Sequence, residues 1–263
     1  MTTLLPFHTQ IANAWKTFIH RWGSALIIQL PMVVPGVLMY PLIVEYLIAL
    51  EAGTDPAIVF QTTVYGTMFL WGFILLLLVG VLTTTSLMIL FAAQDKISFM
   101  TAITSAVKRY IPVLYTSILS AIAIIGALLP AYALNYWYYV AARTGLTLDG
   151  NGIVALDAVI AIALVALLIP AAIVAVWLMY APLLVAVKVS LAGFTALKDS
   201  KNLVHGHLWQ VLWRIIGAII VFQVISISVQ SLYLASFLIP FVLAIVAIAF
   251  FVEIYKELRE GGA

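Results

Sequence analysis

Cysteine is absent from the 263 residues, and charge is scarce: 8% of the chain, against 65% hydrophobic. Without thiols there are no disulfides, thiolate nucleophiles or Cys-ligated metals. A soluble domain carries about 25% charged residues, so there is too little charge here to clothe a water-soluble surface. The longest stretch outside the apolar runs is Lys188–Arg214, too short for an independent catalytic domain, since chains below about 40 residues rarely fold alone. A Gly-x-x-x-x-Gly-Lys phosphate loop and a basic aromatic patch are also missing. Nucleotide-binding and nucleic-acid partners are therefore not expected.

What the chain has instead is five runs with no Asp, Glu, Lys or Arg: Ser24–Val44, Ala57–Ala93, Tyr110–Ala142, Ala158–Val187 and Ile215–Val252. A bilayer core about 30 Å thick is crossed by a helix of about 20 apolar residues. Each run is long enough, and the last would measure about 57 Å as one helix at 1.5 Å per residue. Two crossings with a turn near Ser231–Ser236 cost less mismatch. The expected fold is all-α, a polytopic membrane helical bundle forming a single integral domain over residues 1–263. Its six spans are Trp22–Ile48, Ile58–Ala92, Ile111–Ala141, Ile153–Val187, Leu208–Tyr233 and Phe237–Glu257. Lys16, His20 and Arg21 interrupt Met1–Trp22, which is unlike a cleavable signal, so the first span reads as an uncleaved anchor.

Charge sets the orientation. With the N-terminus in the cytoplasm, every one of the 12 Lys+Arg except Arg143 falls on the cytoplasmic side, while the acidic residues divide evenly. This is the positive-inside asymmetry, and an even span count puts both termini in the cytoplasm.

Each cytoplasmic segment is a short amphipathic stretch running into a span: Ile11–Trp22, Phe99–Tyr110 and Phe194–His205. In the second, Phe99, Ile103, Ala106, Val107 and Tyr110 recur at helical spacing, and in the third Phe194, Leu197, Lys201 and Val204 share a face. The chain thus reads as three units of amphipathic helix, span, span, over residues 4–93, 97–188 and 190–260. Two accounts fit: a threefold internal repeat, or the basic joints that any very hydrophobic chain needs. The stretches would lie on the cytoplasmic interface, with Lys16, Arg21, Lys108, Arg109, Lys198, Lys201 and Arg214 meeting anionic headgroups. Equally, they would pack as a collar across the ends of the spans.

Pro31, Pro35 and Pro41 crowd span 1, and Pro130, Pro170, Pro182 and Pro240 punctuate later spans. Each removes a backbone donor, so Pro130, Pro170 and Pro182 are expected to break spans 3 and 4. The resulting kinks either shape a cavity or are the ordinary prolines of membrane helices.

The segments Tyr180-Ala-Pro-Leu-Leu-Val and Gly193–Trp209 carry Pro182, Ala196, Leu197, Ser200, Leu203, Gly206 and Trp209. This resembles the signature of a bacterial superfamily that groups the membrane domain of glycerophosphoryl diester phosphodiesterase with six-span inner-membrane proteins of the YciC type. Ala14-Trp15-Lys16 is similar too. Where the family often shows Pro-Gly in the fourth span, this chain has Pro170-Ala171. The resemblance implies six membrane helices in a bacterial inner membrane and no agreed activity.

Catalytic groups are hard to find. His205-Gly-His207 is the one histidine pair, with Asp199 alone nearby, and reads as a helix-to-span joint with Gly206 as C-cap before it reads as a metal site. Glu45, Asp157 and Arg214 lie near span ends rather than at a midplane. At depth the polar residues are Gln29, Thr83, Thr84, Thr85, Ser86, Gln223, Ser226, Ser228 and Gln230. They serve as interhelical glue, or Gln29, Thr84 and Gln223 line an intramembrane path. The aromatic cluster Tyr132, Tyr136, Trp137, Tyr138 and Tyr139 suits an interfacial belt or a docking surface.

Three functions are weighed. The first is a non-enzymatic integral membrane protein that organises or assists envelope components and contacts membrane lipids and other membrane proteins. The second is a transporter or channel component for a small or lipidic solute. The third, an intramembrane enzyme, lacks its cluster of catalytic groups. No cofactor and no metal is expected.

Overall fold

The computed structural model describes residues 4–36, 44–45, 48, 52, 63–143, 150–229 and 235–261, and among these all regular structure is helical. Helix α1 is Phe7–Gln29, followed by a 3-10 turn at Leu30–Met32. Then come α2 (Thr63–Ala92), α3 (Phe99–Arg143), α4 (Gly150–Leu178), the short α5 (Ala181–Ala186), α6 (Phe194–Val204), α7 (Leu208–Val229) and α8 (Ala235–Gly261). Among the described residues four stretches are long and apolar enough to cross a membrane: Leu70–Ala92, Phe99–Tyr138, Ala158–Ala186 and Leu208–Ser228. The outer half of span 1, the start of span 2, Asp149, and residues 230–234 of the expected turn between spans 5 and 6 lie outside the described residues.

The prolines break less than expected. Helix α3 continues through Pro112 and Pro130, and α4 through Pro170. Each leaves one carbonyl four residues earlier without its helical donor, a cost that these long helices absorb. Pro31 and Pro182 instead sit in the first turn of a new helical segment, where no donor is needed. Pro182 therefore marks a real interruption, the Met179–Tyr180 turn between α4 and α5.

Two compact units divide the chain. The first comprises Met1–Val113 and Ala218–Gly261, where α1, α2 and α8 pack against one another. Its core is Ala14, Phe18, Ala25 and Ile28 from α1, Leu87, Leu90 and Phe91 from α2, and Ile245, Ala249 and Phe250 from α8. Phe7 and Phe250 meet edge to face with centroids 5.9 Å apart. The second unit is Leu114–Gly217, where α6 packs on α4 and α5. Tyr180, Ala181, Leu183, Ala196 and Val204 are buried there.

Candidate functional site: the basic amphipathic stretches

The first two stretches are continuous with the helices that follow them, Ile11–Trp22 within α1 and Phe99–Tyr110 within α3. Only the third stands alone. Gly193 (φ +83°) opens α6 and Gly206 (φ +91°) follows it, both in the left-handed half of backbone space that glycine enters without penalty.

The structure shows which side of each stretch turns inward. In α6 the buried residues are Ala196, Ser200 and Val204, while Phe194 is 74% exposed and Lys201 is exposed. Near the start of α3, Ala102, Ala106 and Val113 are buried, and Val107 and Ile111 are exposed. In α1, Gln10, Ala14 and Phe18 are buried while Trp15, Ile19 and Trp22 are exposed. The reason is that lipid is as apolar as a leucine side chain, so small residues mark protein contacts and large apolar residues face outward. One shared signal was missed in the sequence. Ala14-Trp15-Lys16, Ala106-Val107-Lys108 and Ala196-Leu197-Lys198 each combine a fully buried alanine with an exposed lysine two residues on.

In the first unit the side chains of α1 and α8 form a polar clasp. Gln10 Nε2 donates to Glu257 Oε2 at 2.6 Å, and the Leu5 amide donates to the same oxygen at 3.1 Å. Thr17 Oγ1 donates to Glu253 Oε1 at 3.1 Å, and Lys256 pairs with that oxygen at 2.9 Å. Gln10 is wholly buried, and its Oε1 has no hydrogen-bond partner among the described residues. Arg21 does not extend outward: its Nη2 donates to the main-chain carbonyls of Ala93 (2.9 Å) and Asp95 (3.2 Å), capping the end of α2. Burial lowers the Arg21 pKa, and the nearby Glu253 charge offsets part of that.

Helix α2 serves as a ruler for depth. Arg21 meets it at Ala93, whereas Tyr110 donates to the Leu78 carbonyl at 3.0 Å. The two levels are about 22 Å apart along the axis at 1.5 Å per residue. Exposure on α2 changes between these levels: Leu70, Trp71, Phe73, Leu77 and Leu78 are exposed, while Thr83, Thr85, Ser86, Leu87, Leu90 and Phe91 are buried.

In the second unit α6 is held by neutral groups. Ser200 Oγ donates to the Trp177 carbonyl at 2.6 Å, satisfying an acceptor in the last turn of α4. The Gly193 amide donates to Thr116 Oγ1 at 3.0 Å, and Ser190 Oγ donates to Asp199 Oδ2 at 2.7 Å. Lys201 lies over the Trp177 ring, 4.7 Å from its centroid. Ala196 and Ser200, which carry part of the family resemblance, thus lie on the side by which α6 docks.

The remaining candidates are scattered. Lys16, Lys108 and Lys198 are exposed, Arg109 and Arg214 half-buried. Gln29 is buried with its Oε1 unpartnered among the described residues, Thr84 is half-buried, and Gln223 is exposed. Thr83, Thr85 and Ser86 spend their hydroxyls on carbonyls of their own helix, at Gly80, Val81 and Leu82. Around His205 and His207, as elsewhere among the described residues, no group of three or more His, Asp or Glu gathers at metal-binding range. No family model matches the chain, and neither a curated protein nor a solved structure is significantly similar to it.

Proposed function

We propose that this is a non-enzymatic, six-span protein of the bacterial inner membrane, with both termini cytoplasmic, that organises or assists envelope components while contacting anionic lipids. The observation that carries the reading is the division of labour among the cations. Lys16, Lys108, Lys198 and Lys201 are exposed on amphipathic helices, whereas Arg21 is committed to main-chain carbonyls. The resemblance to the phosphodiesterase membrane-domain superfamily points the same way, and so does the alanine–lysine pattern common to the three stretches.

The depth ruler supports a specific placement of the first unit. A lysine at a bilayer centre costs about 2.5–3.5 kcal/mol or more, so Lys108 sits with the headgroups while the exposed Val107 and Ile111 beside it face lipid. The exposed stripe Trp15, Ile19 and Trp22 on α1 offers an apolar surface to a neighbouring membrane protein.

The test is reconstitution of the full chain in nanodiscs of mixed phosphatidylcholine and phosphatidylglycerol, reading which lipid is retained around the protein. Enrichment of phosphatidylglycerol, with no solute flux in matched proteoliposomes, is the expected result. Equal retention of the two lipids, or transport or conversion of a solute by the purified protein alone, contradicts the reading.

A further inference from the structure

An apolar groove of about 330 Å³ lies in the first unit, lined by Leu78, Val79 and Leu82 of α2 and by Val107, Tyr110 and Ile111 of α3. No charged side chain lines it. Its one hydroxyl, on Tyr110, already donates to the Leu78 carbonyl at 3.0 Å and pins the two helices together at this level. The walls therefore leave little hydrogen-bonding capacity for a polar occupant, and the volume is at the lower end of ligand pockets. Val107 and Ile111 are 57% and 68% exposed, so the groove opens at the surface of helices apolar enough to sit in a bilayer.

Directly beside this apolar trough stands an exposed cation. Lys108 follows Val107 in sequence and precedes Ile111 by one helical turn, so on α3 it flanks the face that forms the groove. The groove also lies where α2 passes from its exposed to its buried stretch, between Leu78 and Thr83. An apolar trough with a cation at its edge matches one kind of molecule in a membrane: an acyl chain joined to an anionic headgroup.

We infer that this groove is a site for a single anionic phospholipid, with one acyl chain lying along Leu78, Leu82, Val107 and Ile111 and its phosphate paired with Lys108. The inference rests on the lipid-contact reading above and narrows it from a general preference to one place. Lys198 and Lys201, which belong to the second unit, serve as the comparison for the general preference.

Native mass spectrometry of the full chain, titrated with phosphatidylglycerol or with phosphatidylcholine of identical chains, tests it. The wild-type protein is expected to hold one phosphatidylglycerol more tightly than any phosphatidylcholine. Lys108→Gln is expected to weaken that single binding about five-fold, the effect of one lysine near an anionic surface. Val107→Trp, which fills the groove from an exposed position, is expected to abolish it, while a Lys198→Gln/Lys201→Gln double variant keeps it. A thermal melt matching wild type shows that each variant is folded. Should the tight lipid persist in both Lys108→Gln and Val107→Trp, the site is overturned while the general lipid reading stands. Should the wild type not distinguish the two lipids at all, the general reading falls and the site with it.

Discussion

The two units fasten a terminal or interfacial helix by different chemistry. In the first, α1 is joined to α8 by carboxylates: Glu257 accepts from Gln10 and from the Leu5 amide, and Glu253 from Thr17. In the second, α6 is joined to α4 by a serine hydroxyl on a main-chain carbonyl, with Ala196 allowing close approach. Hydrogen bonds to charged groups are worth about 1.5–3 kcal/mol and neutral ones about 1, but a charged group needs water nearby or full compensation. The two units thus reach the same end, a helix held against its neighbours, by charged acceptors in one and neutral groups in the other.

The largest effect should come from the apolar half of the clasp. Phe250 is 4% exposed and stacks edge-on against Phe7. Phe250→Ala is expected to cost about 3–5 kcal/mol, measured by denaturant unfolding. Its amide exchange should rise across α1 and leave α6 alone. Next is the polar half. Glu257→Ala leaves the buried Gln10 with neither end satisfied and is expected to cost about 2 kcal/mol. Glu257→Gln, which keeps an acceptor, should lose about half as much. If Glu257→Gln unfolds like the wild type, the charge on Glu257 contributes nothing and the contrast between the units fails.

The second unit offers the matching tests. An added Cβ at Gly193 would stand 2.8 Å from Tyr115 Cε1, on a backbone with φ +83°. Gly193→Ala is therefore expected to cost about 1–3 kcal/mol. Ser200→Ala removes one neutral hydrogen bond and should cost about 1 kcal/mol, with exchange rising at the end of α4 and at α6 only. Faster exchange in α1 on Ser200→Ala would show that the two units do not respond separately.

Much of the helical framework was legible because uncharged runs and helical spacing are local properties. The joint after α6 was legible from Gly206, read as its C-cap; Gly193, in left-handed backbone at its start, was not singled out. The clasp was not. Gln10 and Glu257 are 247 residues apart, and periodicity reports a face without naming what covers it. Arg21 was read as a headgroup contact because it ends a basic stretch; its partners, the carbonyls of Ala93 and Asp95, carry no side-chain signal at all. Helical spacing grouped the apolar residues of α3 and α6 without separating the side against protein from the side facing out: in a lipid solvent the buried side is the small side, here Ala106 and Ala196, while Val107 and Phe194 are exposed. Prolines misled in a similar way, since Pro130 and Pro170 lie inside unbroken helices while Pro182 begins one.

The central claim is that the protein contacts anionic lipid from outside a packed helical interior and carries no solute. A cryo-EM map of the full chain in phosphatidylglycerol-containing nanodiscs tests it most directly. The account predicts lipid density along the α2–α3 groove with its headgroup at Lys108, and close packing around Gln29 and Thr84. A water-filled or ligand-filled cavity lined by Gln29, Thr84 or Gln223, with no ordered lipid at Lys108, would contradict it and identify the protein as a conduit.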